Sequence, residues 1–157
     1  MLTITVDDGA FRAYMQRLQK SLGNMEPVMD AIGARLESNI RNRFATATDP
    51  SGKRWAVWKD STKDSYPRPG AKSKHGAGNH RLLDRYGTML DSLNYQPGPS
   101  SVRIGFGQPY ATYHEFGTKH MDRRGMLMAD PTAGILAPDD ERTVLDVLET
   151  FLGQLSG

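Results

Sequence analysis

Two histidines and a glutamate lie close together in the segment His114-Glu115-Phe116-Gly117-Thr118-Lys119-His120, and they are the first candidates for chemistry. In the helix of a zinc hydrolase, the two ligand histidines stand four residues apart, so that both face one metal ion. Here His114 and His120 stand six residues apart, and Gly117 lies between them. We therefore predict no metal site and interpret His114 as a hydrogen-bonded structural residue. A metal-dependent hydrolase that uses His114, Glu115 and His120 stays open as an alternative.

Other common catalytic arrangements are also missing from the sequence. No serine stands in the context of a nucleophile elbow, and no phosphate-binding glycine loop follows a predicted strand. The chain has no cysteine, which excludes a thiol nucleophile, a thiolate metal site and a disulfide framework. We predict a protein that is not an enzyme and that has no catalytic residue, no cofactor and no metal ligand.

A second group of residues combines aromatic rings with positive charge. Residues 52–85 contain nine Lys or Arg against three Asp, a net charge of +6, and Trp55, Trp58 and Tyr66 lie among them. One interpretation is a surface for a protein partner, because tryptophan buries a large area at low entropic cost. Another is that one tryptophan only covers the edge of the core. A third is a nucleic-acid-binding module, in which aromatic rings stack on bases between phosphate contacts.

The C-terminal part has the opposite charge. From residue 138 onwards five acidic residues accompany one arginine, a net charge of −4. A basic and an acidic segment suit head-to-tail contacts between copies, although both can also be solvated faces. On this hypothesis, reversal of Lys72 and Lys74 to glutamate weakens assembly. The predicted partner-binding residues are Trp55, Trp58, Lys72, Lys74, Arg81 and Arg85.

The hydrophobic pattern predicts the elements that position these segments. Residues 2–6 alternate apolar and polar side chains, which predicts a short strand. Asp7 or Asp8 then suits the N-cap of a helix that stops at Gly23. The apolar face of this helix consists of Phe11, Met15, Leu18 and Leu22.

A longer second helix is predicted to begin near Glu26-Pro27, because proline fits the first turn of a helix. Its apolar side chains recur every four residues at Val28, Ile32, Leu36, Ile40 and Phe44. The segment Asp49-Pro50-Ser51-Gly52 then predicts a turn, since aspartate accepts local N–H groups and glycine permits a positive φ.

The second half of the chain predicts short helices or turns at residues 81–93 and 109–117, several strands, and a last helix. Two strands flank Pro97-Gly98, a strong hairpin signal. The predicted strands are Leu93–Gln96, Ser101–Phe106, Gly125–Ala129 and Gly134–Leu136. The last helix begins at Pro138, where acidic residues follow, and is predicted to end at Gly153.

These elements predict one α+β domain over residues 1–157. It has N-terminal helices, one of them long, an antiparallel sheet of about four strands, and a C-terminal helix. Residues 63–80 contain prolines, glycines and charges but little apolar matter to bury. A connection of this kind is usually functional or disordered, so we predict a flexible basic loop there, centred on Pro67–His80.

Four motifs follow one another along the chain. They are Asp49-Pro50-Ser51-Gly52-Lys53-Arg54-Trp55, Leu83-Asp84-Arg85-Tyr86-Gly87-Thr88-Met89-Leu90-Asp91-Ser92, Val102-Arg103-Ile104-Gly105 and Tyr110-Ala111-Thr112-Tyr113-His114-Glu115-Phe116-Gly117. In this order, with a helix at each end, they resemble the phage virion morphogenesis family over residues 26–152. That family contains the tail completion protein of P2-like phages and protein G of Mu-like phages. Arg123-Arg124-Gly125 departs from the family pattern, which often has a proline beside the arginine, so no role is carried over to this turn.

The resemblance implies a structural protein of the virion. Proteins of this family look like ring-forming components that complete the head-proximal end of the tail or form part of the head–tail neck. The implied partners are a homo-oligomeric ring of about six copies and other tail or neck proteins, with transient contact to DNA that passes through the neck. The implied location is the virion, after assembly in the host cytoplasm. A tail terminator, which stops polymerisation of the tail tube, is the alternative.

The composition agrees with an assembly protein that has no membrane partner. The 157 residues are 38% apolar and 24% charged with a mean hydropathy of −0.57, which is typical of a globular chain with one modest core. No apolar run approaches the roughly 20 residues that cross a bilayer. The first residues lack the pattern of a secretion signal, so we expect none.

Overall fold

The computed structural model describes the backbone of residues 2–5, 9–74 and 76–156, and the side chains of residues 12–74 and 78–155. Within these ranges the helices are α1 (Gly9–Leu22), α2 (Glu26–Thr46), α3 (Asp60–Ser65), α4 (Thr88–Asp91), α5 (Ala111–Phe116) and α6 (Pro138–Ser156). The strands are β1 (Leu2–Thr5), β2 (Lys72–Ser73), β3 (Gly76–Ala77), β4 (Leu93–Pro97) and β5 (Val102–Phe106). The predicted α+β class is confirmed. Val6 and the two proposed N-cap residues, Asp7 and Asp8, lie outside the described residues.

The main sheet has three antiparallel strands in the order β1-β5-β4. Phe106 on the central strand is opposite Leu2 on one side and Leu93 on the other. Strands β2 and β3 form a separate two-stranded hairpin. The described main sheet is therefore one strand smaller than the sheet of about four that the sequence predicted.

The strands predicted at Gly125–Ala129 and Gly134–Leu136 are wrong. The backbone N–H groups of Met126, Leu127 and Met128 donate to a buried carboxylate, so a neighbouring strand cannot use them. The later segment contributes a single antiparallel bridge between Asp130 and Ile135.

The long helix α2 carries the centre of the core. All five side chains of its predicted apolar stripe are buried, and the helix packs against β4, β5 and α6. Gly33 allows α2 to lie close to β4, because a Cβ atom there would overlap the ring of Tyr95. Phe44 lies 5.9 Å from Phe106, ring centre to ring centre, which joins the helix to the sheet.

Helices α1 and α6 each depart from the prediction in one respect. Leu22 of α1 is 39% exposed and does not continue the buried face, whereas Met25 beyond the turn is buried. Gly23 ends α1 as predicted, with a φ of 72°. Helix α6 continues past the expected stop at Gly153 to Ser156, because Gly153 stays helical and does not adopt the left-handed conformation that ends a helix.

Candidate partner-binding site

The turn predicted after α2 is present, and it returns the chain to the core. The Oδ1 atom of Asp49 accepts the backbone N–H groups of Ser51 and Lys53, both at 2.9 Å. Gly52 has a φ of 85°, which favours glycine. The turn places Trp55 in the core, where the residue is 6% exposed and its indole N–H donates to a backbone carbonyl at 2.8 Å. Trp55 is thus the tryptophan that covers the core.

Trp58, by contrast, belongs to a half-buried aromatic cluster near the surface. Its ring centre lies 4.8 Å from that of Tyr66 and 5.2 Å from that of His80. The guanidinium of Arg85 lies over the Tyr66 ring, 4.7 Å from its centre, a cation–π arrangement. Burial raises the pKa of Tyr66, and the nearby charge of Arg85 opposes this rise. The cluster joins the residues on both sides of α3 to His80, which follows the hairpin of β2 and β3.

The two predicted arginines of this region already have partners within the chain. Arg81 donates from Nη2 to the buried carboxylate of Asp84 at 2.6 Å, and Asn79 donates to the same carboxylate at 3.1 Å. Arg85 donates to the hydroxyl of Ser65 at 2.5 Å. The Arg81 side chain remains 58% exposed, so its charge is still available at the surface.

Lys72 and Lys74 lie apart from the aromatic cluster, on the hairpin of β2 and β3 with its flanking residues, here called the basic hairpin. Both lysines are exposed. The hairpin is held at its base by backbone hydrogen bonds, from Gly70 to Gly78 and from Gly78 to Ala71, both at 2.8 Å. Of the six predicted residues, the structure therefore brings Trp58, Arg81 and Arg85 into one region, places Trp55 in the core, and presents the two lysines separately.

Glu115 is a fully buried residue whose role the sequence did not reveal. Its carboxylate accepts the backbone N–H groups of three successive residues, Met126 at 2.6 Å and Leu127 and Met128 at 3.0 Å. Arg123 lies 3.5 Å from the carboxylate and also donates to the backbone carbonyl of Glu115 at 2.7 Å. Residues 123–128, here called the arginine turn, are therefore folded around one carboxylate.

A buried ion pair connects the arginine turn to the helices. Arg43 of α2 donates to the carboxylate of Asp140 in α6 at 2.5 Å and to the carbonyl of Met126 at 2.7 Å. Asn39 donates to the same carboxylate at 3.0 Å. The sequence analysis did not single out these residues. The available signal was the position of Arg43, which immediately precedes Phe44 on the buried face of α2.

A surface pocket of about 550 Å³ opens between residues 57–66, 82–83 and 114–124. Its apolar lining includes Trp58, Tyr66 and Leu83. Its charged lining consists of three cations and one carboxylate, Lys59, Lys119, Arg124 and Asp122. A smaller pocket of about 320 Å³ shares Tyr66, Leu83 and His114 with it. The site is therefore a mixed polar and apolar surface with an excess of positive charge.

His114 lies at the junction of the two pockets, and its interpretation as a hydrogen-bonded residue is wrong for one ring nitrogen. Its Nδ1 atom is buried and has no hydrogen-bond partner. Burial, and to a lesser extent the charge of Arg124, lowers the pKa of His114. Arg124 also donates to the carbonyls of Ala56 and Val57, at 2.9 and 3.1 Å, and so fixes one wall of the larger pocket. Across the described residues, no group of three or more His, Asp or Glu side chains is arranged to hold a metal ion.

Apolar side chains are exposed close to this site. Val57 in the pocket wall is 85% exposed, and Tyr113 and Phe116 of α5 are 59% and 43% exposed. Exposed aromatic and aliphatic groups at a pocket border are typical of surfaces that bind proteins. Among the helices that the structure describes, none is long and apolar enough to cross a membrane.

Comparison with known proteins assigns this chain to a class of protein, the structural proteins of bacteriophages that take part in virion morphogenesis. The sequence profile of the Phage virion morphogenesis family matches residues 6–153, so this chain belongs to that family. The chain is also similar to the Mu-like prophage FluMu G protein 2 of Haemophilus influenzae, with 24% identity over 139 residues, which cover 87% of this chain and 85% of that protein. No solved structure matches the chain. The resemblance that the four motifs indicated is confirmed.

Proposed function

We propose that this protein assembles into a ring that completes the head-proximal end of the phage tail or forms part of the head–tail neck. Membership in the virion morphogenesis family supports a structural role in the particle. The observation that carries the ring is a pair of oppositely charged surfaces on different elements of one chain. Two different complementary surfaces give head-to-tail contacts, which close into a ring when the rotation between copies permits.

The acidic surface is the outer face of α6. Asp139, Arg142, Asp146 and Glu149 follow one another at spacings of three and four residues and are all exposed, so they form one stripe. The inner face of the same helix is used within the chain, where Asp140 pairs with Arg43. Helix α6 therefore has a core side and a separate acidic side.

The basic region has two parts, which are Trp58, Arg81 and Arg85 at the aromatic cluster, and Lys72 and Lys74 on the basic hairpin. Trp55 is buried, so contact through this ring would require a rearrangement of the core, and the proposed surface uses the other five residues. Within residues 63–80, the basic hairpin is proposed to move in the single domain and to become fixed on assembly, while Tyr66 and His80 stay packed against each other. Tyr113 and Phe116 are proposed to contact other tail or neck proteins, in the virion and earlier in the host cytoplasm.

A nucleic-acid-binding module remains the second candidate, on the strength of the exposed lysines of the basic hairpin. The aromatic residues do not favour it, because the rings of Trp58 and Tyr66 already pack against each other, His80 and Arg85. A base could stack on them only after the cluster opened. Contact with DNA is therefore proposed as transient and electrostatic. It predicts retention on DNA at low salt that weakens steeply as salt rises.

Deletion of the gene, followed by electron microscopy of the lysate, tests the proposed function. We expect filled heads and separate tails that fail to join, and rescue by the wild-type gene supplied in trans. Overlong tails would identify a tail terminator instead. Intact, infectious particles without the protein would contradict the proposal.

A further inference from the structure

We propose that the pocket beside His114 receives the acidic face of α6 from a second copy of this chain. The inference rests on the proposed ring and names its interface. In this arrangement Asp146 and Glu149 of one copy lie against Lys59, Lys119 and Arg124 of the next.

The cations at the pocket border are available for ion pairs with a partner. Lys59 and Lys119 are exposed and form no ion pair with any residue described in the structure. Arg124 is held by backbone carbonyls, which leave its positive charge without a neutralising carboxylate at hydrogen-bond distance. Asp122 is the acidic member of the lining, so the three cations leave an excess of positive charge.

The pocket also contains a polar atom that lacks a partner. A buried nitrogen without a hydrogen bond costs about 1–3 kcal/mol, and such atoms are rare enough to require an explanation. The Nδ1 atom of His114 is buried in this way, and His114 lines both pockets. A side chain that enters from another copy would give this region the polar contact that it lacks.

The acidic stripe of α6 has the complementary property. Asp146 and Glu149 stand three residues apart on its exposed face, and neither forms an ion pair within the described ranges. Their own chain cannot supply the pocket as a partner, because α6 packs on α1 and α2. The pocket is built from other segments, residues 57–66, 82–83 and 114–124. A second copy is therefore the occupant that charge complementarity favours.

The pocket suits this contact better than the basic hairpin does. Lys72 and Lys74 lie on a two-stranded hairpin, where Ser73 between them is exposed as well. The pocket instead places its cations around Trp58, Tyr66 and Leu83. An apolar surface excludes water and strengthens each ion pair formed beside it.

Charge exchange between the two surfaces tests the inference. Lys119→Glu damages only the pocket and Glu149→Lys damages only the α6 face. Each is expected to weaken association at least about tenfold, measured by mass photometry across a concentration series. The variant that carries both changes in one chain should form rings again. A mixture of the two single variants should likewise form rings in which the two variants alternate, because an undamaged pair of surfaces and a charge-exchanged pair then follow one another around the ring.

Two readouts keep this inference separate from the proposed function. Arg103→Glu, an equal charge reversal at an exposed position on β5, is the control and should leave rings unchanged. The same variants are scored for rescue of the gene deletion, which gives a result even if rings form only on tails.

Wild-type assembly or rescue by Lys119→Glu, or failure of the double variant to recover, would overturn the interface but leave the ring intact. Loss of assembly in the Lys72→Glu/Lys74→Glu variant alone would assign the contact to the basic hairpin. Normal particles without the gene would instead reject the proposed function itself.

Discussion

The arginine turn and the basic hairpin are both short and positively charged, yet they are held in opposite ways. In the arginine turn, three successive backbone N–H groups and Arg123 converge on the buried carboxylate of Glu115. In the basic hairpin, a few backbone hydrogen bonds support two exposed lysines. Positive charge in one region is used to organise the chain, and in the other it stays available to partners. Burial of the opposite charge, and not the local density of lysine and arginine, therefore decides whether positive charge organises the chain or stays available to partners.

The largest expected effect comes from Glu115→Gln, which should break the arginine turn. An amide oxygen replaces one carboxylate oxygen, and the amide NH₂ group is placed against backbone donors. We expect the free energy of unfolding to fall by about 3 kcal/mol, as for a buried charge pair that loses one partner. Urea unfolding followed by circular dichroism measures it.

Glu37→Gln is the matched control for this change. Glu37 also pairs with an arginine, Arg41 at 3.0 Å, but on the exposed side of α2. Its loss should be within about 0.5 kcal/mol, because exposed pairs contribute little. Equal losses in the two variants would mean that the arginine turn is not anchored by its carboxylate.

A smaller effect on stability is expected from the titration of His114. The pKa of His114 is lowered by burial and by Arg124, whereas the unfolded chain keeps the ordinary value of about 6.5. Between these two values the unfolded chain binds more protons, so stability rises with pH. The contribution of His114 is complete above about pH 6.5 and is lost as the pH falls through this window.

The measurement compares urea unfolding of the wild type and His114→Gln at about pH 7.5 and about pH 5.5, on either side of the ordinary histidine value. The wild type should lose more stability than the variant on acidification. A variant with the same pH dependence as the wild type would show that His114 does not titrate on unfolding.

The smallest effect on stability is expected for Lys72→Glu/Lys74→Glu in the basic hairpin. Both lysines are exposed, so the free energy of unfolding should stay within about 0.5 kcal/mol of wild type. The neutral variant Lys72→Gln/Lys74→Gln separates loss of charge from its reversal. A loss above about 1 kcal/mol in either variant would place the hairpin among the anchored regions and remove the contrast.

The regular elements were predictable because their signals are local. The helix α2 is predicted by its four-residue repeat and the hairpin by Pro97-Gly98, each from a short stretch of sequence. Both predictions are confirmed. The turn at Asp49 is confirmed for the same reason.

The buried polar contacts were not predictable, because their partners are distant in sequence. Arg43 and Asp140 lie almost a hundred positions apart, and a periodicity argument assigns no partner to either. Residues 125–129 have the apolar character of a strand, but the carboxylate of Glu115 takes the backbone donors that a strand requires. The pocket beside His114 likewise combines three separate segments.

The pairing of β1 with β5 has a consequence for the order in which the chain folds during synthesis. The backbone hydrogen bonds of helices α1 and α2 are local, so both helices can form as they leave the ribosome. The N-terminal strand, however, has its partner at residues 103–106. At about 5–20 residues per second, β1 waits several seconds for this partner. Strand β1 therefore stays unpaired until β5 has been synthesised, and the main sheet closes only after residues 103–106 have emerged.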